Sequence, residues 1–341
     1  MAGAPPDARP DRPELQAVTV PVIDVGPLRD PDADPSETTR SIADACASIG
    51  FFAVTNHGIP TSQLEAMRSL LVRLFDTDDA VKRRQAITRG NYRGFIPLGF
   101  FTPNRDEPNA PAPDRYEGYK LHWECPIDHP ARQECSIYGS NLWPDHLPDT
   151  ADTVIGYWDS CDRLAAHLLD AFASSLEIDG PGLRALFAAP VTNMTLLHYP
   201  PTEPNDGEFG IHPHKDTNVF TILHPDPVGG LLVRTTAGEW IEATCPPDAL
   251  LVNIGDMMEL WSGGRFASTP HQVINSSGRE RYAFPYFLAP SHDVTIEPLV
   301  EPIPGFDRTE PIEVGPWSVE VWRTNWPDAI PADDNLHLGT V

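Results

Sequence analysis

The chain has 341 residues, with 24 Lys and Arg against 49 Asp and Glu, a formal net charge of −25 and a sequence pI of about 4.6. Such acidity repels a phosphate backbone and an anionic membrane surface, so neither nucleic acid nor membrane is an expected partner. At this length about two domains are expected, or one elaborated β domain. Cys46, Cys125, Cys135, Cys161 and Cys245 are odd in number and show no C-x-x-C spacing. They point away from a disulfide framework and toward a reducing, cytoplasmic compartment. The first residues hold no apolar signal core, and no run approaches the ~20 apolar residues of a membrane span.

In chain order, residues 1–17 are rich in Pro, Asp and Arg and read as a disordered tail. Residues 18–24 form a β-branched run, expected as an edge strand. Asp34-Pro35-Ser36-Glu37 reads as a helix start with Asp34 as N-cap and Pro35 at the first helical position. Ile42, Ala45, Cys46 and Ile49 then share one helical face. Residues 51–55 are expected as a buried strand, with His57-Gly58 the turn out of it. Ser62 to Glu65 matches a capping box ahead of a stripe of Leu64, Met67, Leu71 and Leu74. Residues 89–119 are rich in Gly, Pro, Asn and aromatics and read as loop or irregular strand. The longest helix is expected over 152–176, where Val154, Tyr157, Trp158, Cys161, Leu164 and Leu168 recur at helical spacing and should pack on a sheet.

From residue 194 the pattern shifts to short strands between Gly and Pro turns. They are expected at 194–199, 219–223, 231–234, 240–243, 250–254, 271–275 and 281–288, the pattern of a β-sandwich or jelly roll. Past Pro290 the chain is Pro-rich and closes with an amphipathic stretch, 317–326, expected as a covering helix. Within this half, His214 and Asp216 stand at i and i+2, on one face of an extended strand. With His271 they make two histidines and a carboxylate, the facial-triad set that leaves positions open on a non-haem iron(II). Arg281 supplies a permanent cation able to clamp a carboxylate bidentately. His212 shares the face of His214 and stands as a rival ligand, a partner of the ligand or a solvated neighbour. His122-Trp123-Glu124 offers an equivalent nitrogen and oxygen pair and reads as structural, as does His57.

The motifs run in a fixed order. They are His214-x-Asp216, Gly230-Leu231-x-Val233, Gly238-x-Trp240-Ile241, Asn253-Ile254-Gly255-Asp256 leading to Glu259, Trp261 and Gly263-Gly264, then Ser268-Thr269-Pro270-His271 and Glu280-Arg281-Tyr282. Together with Val20 to Asp24 and Gly50 to Pro60, they resemble the isopenicillin N synthase-like family of iron(II)/2-oxoglutarate-dependent oxygenases, across residues 18–290. The resemblance implies a mainly β fold with flanking helices (α+β), built on a distorted double-stranded β-helix, or jelly-roll, core. It divides the chain into the tail 1–17, a helical and mixed region 18–190 packing on the core, the β-helix domain 191–290 and a C-terminal extension 291–341 with a capping helix. It selects His214 over His212, because Thr221 then falls where the family has its threonine. It implies iron(II) on His214, Asp216 and His271, and 2-oxoglutarate held by Arg281 and Tyr199. For the substrate it suggests Tyr92, Arg93, Tyr119 and Lys120 near the mouth, with Phe287 in the last strand.

Two positions depart from the family. Its serine two residues past the arginine is Ala283 here, and its asparagine two residues before the tyrosine is Leu197. Each loses a polar contact, and the serine's loss is worth ~0.5–1.5 kcal/mol, so weaker co-substrate binding is expected. The implied reaction oxidises a small molecule with dioxygen, by hydroxylation, desaturation or ring closure, releasing succinate and carbon dioxide. A monomer acting in specialised metabolism, such as antibiotic or secondary-metabolite biosynthesis, is expected. Two other readings stay open: an iron-dependent oxidase of the same fold that does not use 2-oxoglutarate, and a jelly-roll binding protein without turnover.

Overall fold

The strand Asn193–Tyr199 shows how the layers form, because successive side chains point to opposite faces. Met194 and Leu196 enter an apolar core shared with helices, while Leu197 and Tyr199 enter a second core between two sheets. The computed structural model describes residues 17–102, 112–202 and 209–324. Residues 1–16 of the expected tail and Trp326 of the expected covering helix lie outside the described residues.

The larger sheet runs Val22–Asp24, Phe51–Thr55, Leu250–Ile254, Phe220–Leu223, Tyr286–Leu288, Asn193–Tyr199, Glu117–His122 and Gly94–Ile96, with Arg281–Ala283 also pairing with Asn193–Tyr199. The smaller sheet runs Ala17–Thr19, Trp240–Thr244, Leu231–Arg234, His271–Val273 and Ile211–His214. Their facing sides bury Leu197, Leu223, Leu231, Val233, Ile241, Leu251 and Val273. This is the two-sheet jelly roll that the family's double-stranded β-helix requires.

Helices cover the other side of the larger sheet. The longest, Thr150–Leu176, buries its stripe from Val154 to Leu176. Phe172 of this helix packs against Phe220 of the sheet and Phe266, with centroids 5.5 and 5.7 Å away. Tyr286 also donates its hydroxyl hydrogen to Asp162 of the helix. Helices Ser36–Ser48 and Thr61–Phe75 pack against the same long helix. A final helix, Val314–Thr324, brings Trp322 onto Tyr92, their rings stacked 5.6 Å apart.

Several local expectations are corrected. The run 18–24 is two strands, not one. It breaks at Pro21, and its halves join different sheets, each in parallel pairing. Ala17, placed in the tail, begins the first of them. Asp34 does not cap its helix by the expected pattern: the helix starts at Ser36, and the Asp34 carboxylate accepts the Ser36 N–H and hydroxyl. Ser62 is no cap either, since that helix starts at Thr61 behind Pro60. The expected strand 281–288 is split at Phe284-Pro285, where the proline removes a ladder donor. Within 89–119, Gly94–Ile96 is a regular strand paired with the one beginning at Glu117. All five cysteines are free. No helix among the described residues is long and apolar enough to cross a membrane.

Candidate metal and co-substrate site

His214 ends one strand of the smaller sheet and His271 begins its neighbour, and the two are direct antiparallel partners. Asp216 lies just past the end of the first strand, so tertiary contacts rather than strand alternation place its carboxylate. Nε2 of His214 stands 3.8 Å, and Nε2 of His271 3.7 Å, from Asp216 Oδ1. One donor atom from each residue lies within 4.8 Å of the others. That spacing suits three ligands around one ion.

The remaining atoms of these side chains are already engaged. His214 Nδ1 lies 2.8 Å from the His212 carbonyl, and His271 Nδ1 lies 3.2 Å from that of Thr269. A carbonyl can only accept, so each Nδ1 carries the proton and each Nε2 turns a lone pair toward Asp216. On the carboxylate, Oδ2 accepts hydrogen bonds from Thr221 Oγ1 at 2.6 Å and Asn253 Nδ2 at 2.7 Å, leaving Oδ1 facing the histidines. Burial lowers the His271 pKa to about 4, with nearby His214 adding to the effect and Asp216 opposing it. For Asp216 burial would raise the pKa, but His271, His214 and the bonds from Asn253 and Thr221 outweigh it and hold the carboxyl below its ordinary value. The donor set fits a divalent metal: two neutral imidazoles, one carboxylate and fixed outer partners.

His212 is not part of this cluster. Its Nδ1 bonds Asp114 Oδ1 at 2.6 Å, and its carbonyl orients His214. His57 has both ring nitrogens on backbone groups, those of Asp248 and Ile59.

Arg281 points between the sheets and is 2% exposed. Its Nε donates to the Gly229 carbonyl at 2.7 Å, while buried Nη1 has no hydrogen-bond partner. The turn at Gly229-Gly230 makes this possible. Both glycines have positive φ, and a side chain on Gly230 would come within 2.4 Å of the Ile274 carbonyl. The guanidinium carbon lies 4.7 Å from the ring centroid of Tyr199, its cross-strand partner. Burial pushes the Tyr199 phenol up to about 12, with Arg281 opposing, so it stays protonated as a donor. Beside them Ala283 sits opposite Leu197, both apolar. The orphaned Nη1 fits an anionic ligand approaching from this space, since an unpaired buried donor is costly.

The other predicted residues separate. Lys120 points to the inner face: its Nζ is 2.6 Å from Asn193 Oδ1, 3.1 Å from Thr195 Oγ1 and 5.4 Å from the Phe287 ring centroid. Tyr92 belongs to an aromatic group with Phe101 and Trp322. Tyr119 does not reach the site. Strand alternation turns it into the core under the helices, where its hydroxyl donates to the Leu142 carbonyl at 2.9 Å. Arg93 is buried and tied to the Ile137 carbonyl at 2.7 Å, a packing position and not one on the inner face beside Lys120. Sequence reasoning missed Asn253. It lies inside the Asn253-Ile254-Gly255-Asp256 motif, but only the fold shows its amide on Asp216.

Residues 191–290 match the 2OG-Fe(II) oxygenase superfamily, and residues 20–146 match the N-terminal region described as that of a non-haem dioxygenase in morphine synthesis. The chain is 30% identical over 300 residues to a homoarginine-6-hydroxylase of Glycine max, covering 82% of this chain and 88% of the relative. It is 32% identical to a 2-oxoglutarate-dependent dioxygenase of Penicillium crustosum, over 79% of this chain and 83% of that one. Among solved structures, a full-length Neurospora crassa protein in complex with alpha-KG and thymine superposes with a TM-score of 0.76 at 25% identity, covering 90% of this chain and 97% of that one. The chain therefore belongs to the 2OG-Fe(II) oxygenase superfamily. It is a non-haem iron dioxygenase that uses iron(II), 2-oxoglutarate and dioxygen to oxidise a small molecule.

Proposed function

We propose that His214, Asp216 and His271 hold the iron, and that Arg281 with Tyr199 holds the far carboxylate of 2-oxoglutarate. One observation carries the reading: both Nε2 atoms converge on Asp216 Oδ1 while every other polar atom of the three side chains has a partner. Iron(II) with 2-oxoglutarate and dioxygen supplies an oxidant that takes hydrogen from the substrate. The protein's own residues orient and shield. Thr221 and Asn253 hold Asp216 in place, the carbonyls of His212 and Thr269 fix the imidazole tautomers, and Arg281 selects a ligand with a carboxylate at its far end. Residues 191–290 form the working domain, and the described parts of 17–190 and 291–324 pack around it. The substrate is a small molecule, and the reading extends to a role in specialised metabolism; relatives from Penicillium crustosum and Monascus ruber are likewise named 2-oxoglutarate-dependent dioxygenases. The free cysteines and acidic charge suit a cytoplasmic monomer.

Anaerobic titration of the iron(II)-loaded protein with 2-oxoglutarate tests the assignment. Keto-acid chelation should give a weak visible charge-transfer band that saturates, and His271→Ala and His214→Ala should lose both iron and band. Iron retention by both variants would sink the ligand assignment. A wild-type protein that binds iron without any band would favour the oxidase chemistry.

A further inference from the structure

Lys120 differs from the other buried lysine near it. Lys82, on the helical side of the sheet, meets the Glu117 carboxylate at 2.7 Å. Lys120, three residues further along that strand and on the opposite face, forms no ion pair among the described residues. Among the described residues no carboxylate stands within ion-pair distance of this ammonium, and Asp216 acts on it only from further away. Two of its three N–H groups go to Asn193 and Thr195, and the third has no partner among the described residues. Burying an ammonium without a counter-ion is unfavourable, and the group is retained here beside uncharged partners only. Burial lowers its pKa to about 7, and the Asp216 charge opposes the shift. The residue as a whole is nevertheless only partly buried.

Register ties this lysine to the metal cluster. Phe287, under the Nζ, is the cross-strand partner of both Asn193 and Thr221, and Thr221 bonds Asp216. A second observation comes from His122, two residues along the same strand and on the same face. It is 7% exposed and has a buried ring nitrogen without a hydrogen-bond partner. Its pKa is held well below the ordinary value by burial, with Arg93 and Lys120 adding to the effect, so it is a neutral donor or acceptor. The aromatic group of Tyr92, Phe101, Tyr116 and Trp322 lies alongside, with Tyr92 and His122 ring centroids 6.5 Å apart.

We propose that Lys120 and His122 form a subsite for a carboxylate of the substrate, so that the enzyme oxidises a small organic acid whose apolar body rests on Phe287. The inference builds on the assignment of the iron and 2-oxoglutarate site and names the substrate class for it. One ammonium and one neutral imidazole match a single carboxylate better than a phosphate dianion. No arginine hydrogen-bonds the partners of Lys120 among the described residues, and the overall charge of −25 repels polyanions. Asn193 and Thr195 position the ammonium, and Phe287 excludes water beneath it.

The test uses matched acid and amide probes, 3-phenylpropanoate against 3-phenylpropanamide and octanoate against octanamide. Calorimetric binding is measured on the full chain loaded anaerobically with iron(II) and 2-oxoglutarate. At least one acid should bind wild type ~10-fold or more tighter than its amide, the scale of a hydrogen bond to a charged group. That preference should vanish in Lys120→Met, and also in Lys120→Gln, which keeps a donor toward Asn193 without the charge. A lysine with a purely structural role would leave the acid-to-amide ratio unchanged. The inference is overturned if no acid outcompetes its amide in wild type, or if the preference survives in a folded Lys120 variant. The charge-transfer band, recorded on the same samples, separates the failures: its absence in wild type faults the 2-oxoglutarate site, whereas a normal band without acid preference faults the Lys120 subsite.

Discussion

Arg281 enters the space between the sheets with Nε bound to a carbonyl and buried Nη1 without a protein partner, an arrangement that suits an anionic ligand. Arg281→Ala should weaken 2-oxoglutarate binding by about 1.5–3 kcal/mol, roughly 10- to 150-fold in Kd. Arg279, outside the buried face, should tolerate Ala with little effect, and equal losses would remove the clamp role. Beside Arg281, Ala283→Ser would add a hydroxyl where Ala283 faces Leu197. It should tighten 2-oxoglutarate binding by ~0.5–1.5 kcal/mol, read from the same anaerobic titration. An unchanged midpoint would mean that the carboxylate lies away from Ala283.

At the scale of elements, the site depends on strands held flat from behind. Phe172 on the long helix is fully buried between Phe220 and Phe266, and Phe220 precedes Thr221, which bonds Asp216. Phe172→Ala should cost about 3–5 kcal/mol in urea unfolding, the usual range for a large buried aromatic. A loss below ~1 kcal/mol would show that this contact collapses easily. Register matters as much as packing. His214 and His271 meet because they are direct cross-strand partners, and a one-residue slip of either strand would turn its histidine to the other face.

Across the whole molecule, one polar chain links regions far apart in sequence. Lys82 bonds Glu117, Glu117 bonds His198 Nδ1 at 2.8 Å, and Glu280 bonds the other His198 nitrogen. The His198 ring is sandwiched by Phe75 and Tyr282, with centroids 5.4 and 5.0 Å away. Burial alone would lower its pKa, but the two carboxylates outweigh this and raise it above the ordinary 6.5. A raised folded-state pKa means that the contribution to stability is full below 6.5 and is lost as the pH climbs through the folded value. The thermal midpoint of wild type should therefore fall more steeply above pH ~6.5 than that of His198→Gln. Parallel curves for the two proteins would exclude His198 as the titrating group.

Much of this protein was legible in its sequence because some signals are local. Short apolar runs between Gly and Pro turns marked Leu231–Arg234 and Leu250–Ile254 to the residue, and helical spacing marked the long helix to within two residues of its start. The ordered motifs singled out His214, Asp216, His271 and Arg281 before any fold was known. Other features were settled only in three dimensions. Pro21 sends one short run into two sheets, a choice made by which edges are open. Asp216 faces the histidines through Thr221 and Asn253 rather than through strand alternation. Tyr119 and Lys120 are neighbours in sequence with similar prospects, yet the pleat sends one under the helices and the other to the inner face of the sheet. Sequence carries periodicity and residue chemistry; which face of a strand becomes the inside depends on what packs against each side, and that is decided by the tertiary structure.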